Sequence, residues 1–258
     1  MATSSQQLQR RDLVWDGCLN VRDLGGLPTR DGGETRFGAI VRADNLHQLS
    51  AAGWHALAGH GVRAVLDLRS DHELLDDPPA DVRVSVLHVP LMEASEAEWE
   101  EIESELQAAS AAAPDEASAK RDEYLILLDR LRANVAAAMR AVADAPEGGV
   151  VIHCAGGKDR TGIVAALMLD VAGVDKEAIA ADYALSEERL RPRLERWLAA
   201  AETEEELERL RRIAQTPAEA MGGLLDELER RYGGTAAFLR SIGVSDDDLE
   251  RVRARLRD

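Results

Sequence analysis

The stretch His153-Cys154-Ala155-Gly156-Gly157-Lys158-Asp159-Arg160-Thr161-Gly162 brings together a thiol, a guanidinium, a hydroxyl and closely spaced glycines. That set can bind an oxyanion and attack it. Gly156 and Gly157, without a Cβ, let the backbone curl so that successive N–H groups point inward. Those donors, with the positive end of a following helix, surround the oxygens of a phosphoryl group. Arg160 adds a planar fork that grips two of them and carries a permanent charge. Cys154, at the base of the cradle, sits in the same positive field, which suits a sulfur nucleophile. Thr161 can donate its hydroxyl to that sulfur during attack and departure. Ala155, Gly156, Gly157, Lys158 and Thr161 are therefore the expected substrate-contacting residues, around a reacting pair of Cys154 and Arg160.

Blander readings compete with this one. A lone cysteine after a buried strand is most often a small core residue. A glycine-containing turn from strand to helix also serves nucleotides, but Walker-type loops follow Gly-Lys with Ser or Thr, and here Asp159 and Arg160 follow. A rhodanese-like sulfurtransferase loop is another anion cradle with a central cysteine. It gives no reason for the His-Cys and Arg-Thr bookends together.

His153-Cys154, five residues, then Arg160-Thr161 resembles the signature loop of the cysteine-dependent protein tyrosine phosphatase superfamily. The inner Gly157-Lys158-Asp159-Arg160 is similar to bacterial members that also accept phosphoserine, phosphothreonine or phosphoinositides. Upstream, Asn20-Val21-Arg22-Asp23-Leu24-Gly25-Gly26 resembles the N-terminal motif of that bacterial group, and Asp182-Tyr183-Ala184-Leu185-Ser186 fits its second half. The resemblance runs from about residue 13 to residue 257. It implies a phosphatase that works through a phosphocysteine intermediate on a phosphorylated protein or phosphoinositide. It also implies Arg22 and Asp23 as braces of the signature loop, and helices within 186–232 able to fold over the site as a lid. Cofactors are expected to be none, and metal none, because Arg160 and the backbone supply the positive field. The alternatives kept open are a phospholigand-binding module with weak or no catalysis, and the sulfurtransferase.

A carboxylic acid must protonate the leaving oxygen. The tyrosine-specific relatives carry it in Trp-Pro-Asp, which is absent here. Asp67 closes a hydrophobic run (Val62 to Leu68), and ligands of open α/β sheets collect at the carboxyl ends of strands. Asp159 lies in the loop itself, but Lys158 and Arg160 beside it favour its ionised form. Asp67 is the expected acid, with Asp159 second.

The elements that position these residues follow from patterning. The run Val150 to Ile152 reads as a doubly buried strand, and the apolar run from Ile163 as a buried helix. Residues 1–12 read as a disordered leader, and 13–43 as a small β hairpin or meander cut by Gly and Pro. Ser50 caps a helix to Gly59; Val82, Val84, Val86 and His88 alternate as a further strand. Ser95 and Glu98 form a capping box for an acidic helix to about Ser110, and Ala108 to Ala119, rich in Ala, Ser and Pro, reads as a flexible join. One long amphipathic helix then carries Tyr124 to Val142. Helices are expected to start at Asp175, Ser186, Thr203 and Thr216, with Gly233-Gly234 and Ser245 marking later boundaries. The fold class is thus α/β: a central, mostly parallel sheet flanked by helices, a small N-terminal hairpin, and a helical block after the signature-loop helix. One phosphatase domain is expected over 13–258, with helical insertions near 93–122 and 186–232.

The 258 residues carry a net charge of −17, which argues against nucleic acid or an anionic membrane as partner. Residues 93–123 hold eleven acids against two bases, a solvated helical face. Two cysteines, Cys18 and Cys154, make a secreted disulfide framework unexpected. Met1 to Asp12 has no apolar h-region, and the longest apolar stretch, Ile163 to Val174, is short and contains Asp170. A cytoplasmic protein with no integral membrane segment is expected. Oligomeric state is not legible.

Overall fold

The structure is a computed structural model and describes residues 10–77 and 84–257. Five strands form one sheet: β1 (Arg22–Asp23), β2 (Ile40–Ala43), β3 (Val62–Asp67), β4 (Ser85–His88) and β5 (Gly149–His153). Their order is β1-β2-β5-β3-β4. Only β1 runs antiparallel, against β2; β2, β5, β3 and β4 are parallel. The expected N-terminal hairpin is therefore present, and its second strand is also a full member of the main sheet. Val82 lies outside the described residues, so the fourth strand is seen over Ser85–His88.

β5 is central because every residue of Gly-Val-Val-Ile-His is buried, as a strand covered on both faces requires. Alternation divides its side chains. Val151 joins Val41, Val65, Leu57 and Trp15 on one face, while Val150 and Ile152 join Ile40, Leu66 and the larger helical core on the other. Ala43 and Asp67 both pair with His153 in register. Three strands thus end side by side, and the signature loop leaves from the middle one.

The helices are α1 (Ala51–Gly59), α2 (Asp71–Asp76), α3 (Glu96–Ala112), α4 (Glu116–Arg130), α5 (Arg132–Asp144), α6 (Asp159–Val171), α7 (Lys176–Ala200), α8 (Glu204–Ala214), α9 (Ala218–Tyr232), α10 (Thr235–Ser241) and α11 (Asp246–Arg257). Ser50, Ser95 and Thr203 cap their helices as expected, each accepting from a backbone N–H three residues on. Ser245 and Asp248 reciprocate at the start of α11, and Gly233 ends α9 at φ +79°. No helix among the described residues is long and apolar enough to cross a membrane.

Other boundaries differ for identifiable reasons. The join expected over 108–119 is mostly helix: only Ala113-Pro114-Asp115 interrupts it, and Asp115 caps α4 by accepting from Ser118 N at 2.7 Å. The long helix over 124–142 is two helices, broken where Leu131 leaves helical geometry at φ −108°, ψ 35°. Ser186 does not start a helix; it is buried inside the continuous α7 and accepts from Arg22 Nη2 at 3.0 Å. Pro192 also lies within α7. Thr216 is not an N-cap, because its hydroxyl is used in a tertiary contact. It donates to Ala184 O at 3.0 Å and accepts from Glu187 N, while Thr216 N donates to Glu187 Oε2 at 3.0 Å. Of the leader, residues 1–9 lie outside the described residues. Arg11 is buried, donating to Asp23 O at 3.0 Å and to Asp182.

Candidate active site

The loop between β5 and α6 curls because one residue takes a left-handed conformation. Gly157 sits at φ +62°, and a Cβ there would lie 2.3 Å from Ala43 O. Gly156, expected to share that role, has no positive φ, and a Cβ on it would meet only Lys158 Cβ at 3.8 Å and Leu190 Cδ1 at 3.9 Å.

The loop carbonyls are held from outside. Asn20 Nδ2 donates to Gly156 O (3.0 Å) and Gly157 O (3.1 Å); Arg42 Nη2 donates to Gly157 O (2.8 Å) and Lys158 O (3.2 Å). Ala155 O accepts from Asn45 N (3.3 Å) and Arg193 Nη1 (3.2 Å). Peptide planarity then turns the N–H groups on the other edge of those peptide units away from the braces. The braces converge on Asp182, which pairs with Arg11, with Arg22 (Nε, 3.0 Å) and with Arg42 (Nη1, 2.8 Å). Burial alone would favour its neutral form, but the three guanidiniums hold its carboxyl far below the usual range. Arg22 also donates to Asn20 Oδ1 (2.5 Å), orienting the amide that grips the loop. Asp23 accepts from Gly25 N and Gly38 N, each at 2.8 Å. Arg22 thus braces the loop through Asn20, whereas Asp23 holds the N-terminal segment's own backbone at Gly25 and Gly38 and has no contact with the loop among the described residues.

Inside the cradle, Thr161 Oγ1 donates to Cys154 Sγ at 3.2 Å. Both residues are buried, and Cys154 forms part of the floor of a cavity of about 340 Å³. Ala155, Gly156, Lys158, Asp159 and Arg160 line the same floor, and Lys120 and Glu123 approach from α4. Leu190, Leu194 and Trp197 of α7 with Ile213 and Ala214 of α8 form the apolar side. The block 186–232 therefore divides. Its first part walls the cavity, while Met221, Leu224 and Leu228 of α9 are buried in the core. Lys158 Nζ donates to Ile213 O and ties the loop to the end of α8.

Asp67 and Asp159 are placed very differently. Asp67 is 2% exposed and does not line the cavity. Arg69 holds it through Nε (3.0 Å to Oδ1) and Nη2 (2.7 Å to Oδ2), and these bonds outweigh burial and lower its pKa. Behind it His153, whose Nε2 is 3.5 Å from Asp67, is pushed down to about 4 by burial and is neutral near pH 7. Asp159 lines the cavity beside Arg160, accepts from Tyr124 OH at 2.5 Å and lies 3.4 Å from Lys158 Nζ.

Glu73 is the residue the sequence reading missed. It caps α2 through Ser70 (Ser70 N to Oε2, 2.8 Å) and binds Arg160 with both oxygens, Nη2 to Oε1 at 2.8 Å and Nη1 to Oε2. Burial opposes its ionisation, but Arg160 and Ser70 bring its carboxyl down to about 2. Ser70-x-x-Glu73 is a capping-box pattern, which signals a helix start and nothing about an arginine distant in sequence.

An anion cradle at the carboxyl end of the central strand, with a sulfur at its base and a guanidinium held ready, fits a phosphatase. The chain belongs to the tyrosine phosphatase family, whose model matches residues 13–258. It is 30% identical over 233 residues to a tyrosine-protein phosphatase of Nostoc commune, covering 84% of this chain and 74% of that protein. It is 26% identical over 281 residues to the triple specificity protein phosphatase PtpB of Mycobacterium tuberculosis, covering 93% of this chain and 97% of that one. The reaction class is hydrolysis of phosphoric monoesters.

Proposed function

We propose that this chain, acting as one domain over 13–258, hydrolyses phosphotyrosine, and also phosphoserine, phosphothreonine or phosphoinositide monoesters, through a phosphocysteine intermediate. The observation that carries the reading is that Cys154, which accepts from the buried Thr161 hydroxyl, lines one cavity with Arg160. Cys154 Sγ attacks phosphorus, the P–O bond to the leaving group breaks, and Arg160 with the loop N–H groups takes up the charge on the equatorial oxygens. Asp159, rather than Asp67, gives its proton to the leaving oxygen, because Asp67 is locked against Arg69 away from the cavity. Water then attacks phosphorus, Asp159 takes its proton, and the S–P bond breaks to release phosphate and the thiolate.

The other acids at the cavity have partners of their own. Glu123 pairs with Lys120 at 2.9 Å, and Glu187 accepts from Thr216 N. The cavity's apolar wall of Leu190, Leu194 and Trp197 suits the ring of a phosphotyrosine. That the mycobacterial relative is a triple specificity protein phosphatase supports a wider substrate range. Cys154→Ser tests the reading: hydrolysis of p-nitrophenyl phosphate should vanish while inorganic phosphate still binds. Retained hydrolysis in this variant would refute the phosphocysteine route, and turnover of thiosulfate by the unaltered protein would favour a sulfurtransferase.

A further inference from the structure

Tyr124 on α4, Tyr183 on α7 and Asp159 at the start of α6 meet although 35 and 59 residues separate Tyr124 from the other two. We propose that Tyr124 and Tyr183 are positioning residues for the acid: their hydroxyls form a chain that occupies Oδ1 of Asp159 and leaves Oδ2 to carry the transferable proton. This rests on the assignment of Asp159 as the acid.

The direction of the chain follows from donor counting. A carboxylate only accepts, so the single proton of Tyr124 goes to Asp159 Oδ1 at 2.5 Å. The Tyr124 oxygen must then accept from Tyr183 OH, 2.7 Å away. Lys120 Nζ, 3.8 Å from Oδ1, adds positive charge on the same side. With Oδ1 engaged, a proton arriving on the carboxyl resides on Oδ2. Lys158 Nζ, which donates to Ile213 O, lies at ion-pair distance from Oδ2 (3.4 Å) without a hydrogen bond to it, so among the described residues no donor occupies Oδ2.

The arrangement is built rather than incidental. Tyr124 and Tyr183 are 0% and 1% exposed, and their rings meet edge to face with centroids 6.1 Å apart. Burial, then the charge of Asp159, raises both hydroxyl pKa values above the ordinary tyrosine value, so both stay protonated donors. Gly162 admits the second ring: a Cβ there would be 3.0 Å from Tyr183 Cδ2. The helix that starts at the signature loop is thereby shaped around the tyrosine pair.

The test is a leaving-group series, since an acid matters most when the departing oxygen is basic. Values of kcat/KM for phenyl phosphate and p-nitrophenyl phosphate would be compared, with inorganic phosphate inhibition as the binding control. Tyr124→Phe should lower kcat/KM for phenyl phosphate about 10-fold more than for p-nitrophenyl phosphate, leaving phosphate inhibition unchanged. Asp159→Asn should show a steeper leaving-group dependence, and adding Tyr124→Phe to it should steepen it no further. If Asp159→Asn loses both esters equally, the acid assignment and the inference fall together. If Asp159→Asn is selective but Tyr124→Phe is not, the acid stands and the tyrosine inference is overturned. Should Tyr124→Phe fail to fold by thermal melting, Tyr183→Phe is read by the same criterion.

Discussion

Glu73 and Arg160 form a two-pronged ion pair that links the first turn of α2 to the first turn of α6. The pair sets the plane of the guanidinium before any phosphate arrives, so less order must be imposed on binding. Glu73→Gln keeps the shape but loses the charge. We expect kcat/KM on p-nitrophenyl phosphate to fall about 10-fold, or ~1.4 kcal/mol of transition-state stabilisation. Unchanged kcat/KM would mean that Arg160 is oriented by the loop alone.

The two loop glycines should separate cleanly. Gly157→Ala forces a Cβ into a left-handed position against Ala43 O, at a cost of roughly 1–2 kcal/mol for the backbone alone plus the displacement of β2. Gly156→Ala meets only ordinary contacts and should change stability by less than about 0.5 kcal/mol. Thermal melting of the two variants checks this; equal losses would contradict the conformational assignment.

Asp182 should dominate the stability of the brace. Asp182→Asn leaves three buried guanidiniums short of their counter-charge, which costs about 3–5 kcal/mol. The sign of the pH effect follows from the lowered carboxyl. A depressed folded-state value contributes stability that is fully present above the unfolded value, about 3.9, and is lost as pH falls below it. Acid titrations of ΔG should therefore be steeper below about pH 4 in the unaltered protein than in Asp182→Asn. Parallel curves would show that Asp182 is not the group being titrated.

Lys158 joins the loop to α8 and stands beside Asp159. If its ammonium exchanges Ile213 O for a second phosphate on an inositol ring, Lys158→Ala should reduce phosphoinositide turnover more than phosphotyrosine turnover. Side-by-side kcat/KM values decide it, and equal losses would leave Lys158 as a structural tie.

Cys18 is the one other thiol, and it donates to Asn45 O at 3.3 Å. Burial, then the charge of Asp44, raises its pKa far above that of an ordinary thiol, which makes it a poor resolving cysteine. Peroxide treatment followed by mass spectrometry should show oxidised Cys154 and no Cys18–Cys154 disulfide. That disulfide as the main product would reverse the assignment.

The sequence by itself determined whatever depends on residues near one another in the chain. Val150 to Ile152 announced a doubly buried strand, Ile163 onward a buried helix, and Cys154, Arg160 and Thr161 between them an anion cradle with a nucleophile. Ser50, Ser95 and Gly233 marked helix ends because capping is a contact within one turn. Tertiary structure alone decided which partner each charged group found. Asp67 sits at the carboxyl end of β3, as expected, but Arg69, two residues on, turns it into a buried ion pair. Thr216 carries the pattern of a cap but spends its hydroxyl on α7. Glu73 looks like a capping residue and also holds Arg160, 87 positions away. Tyr124 falls on the stripe of an amphipathic helix in the sequence, and only the tertiary structure aims its hydroxyl at Asp159 and sets the hydroxyl of Tyr183 against it. A helical stripe records which side of an element is buried; which polar atom waits there depends on elements brought together from distant parts of the chain.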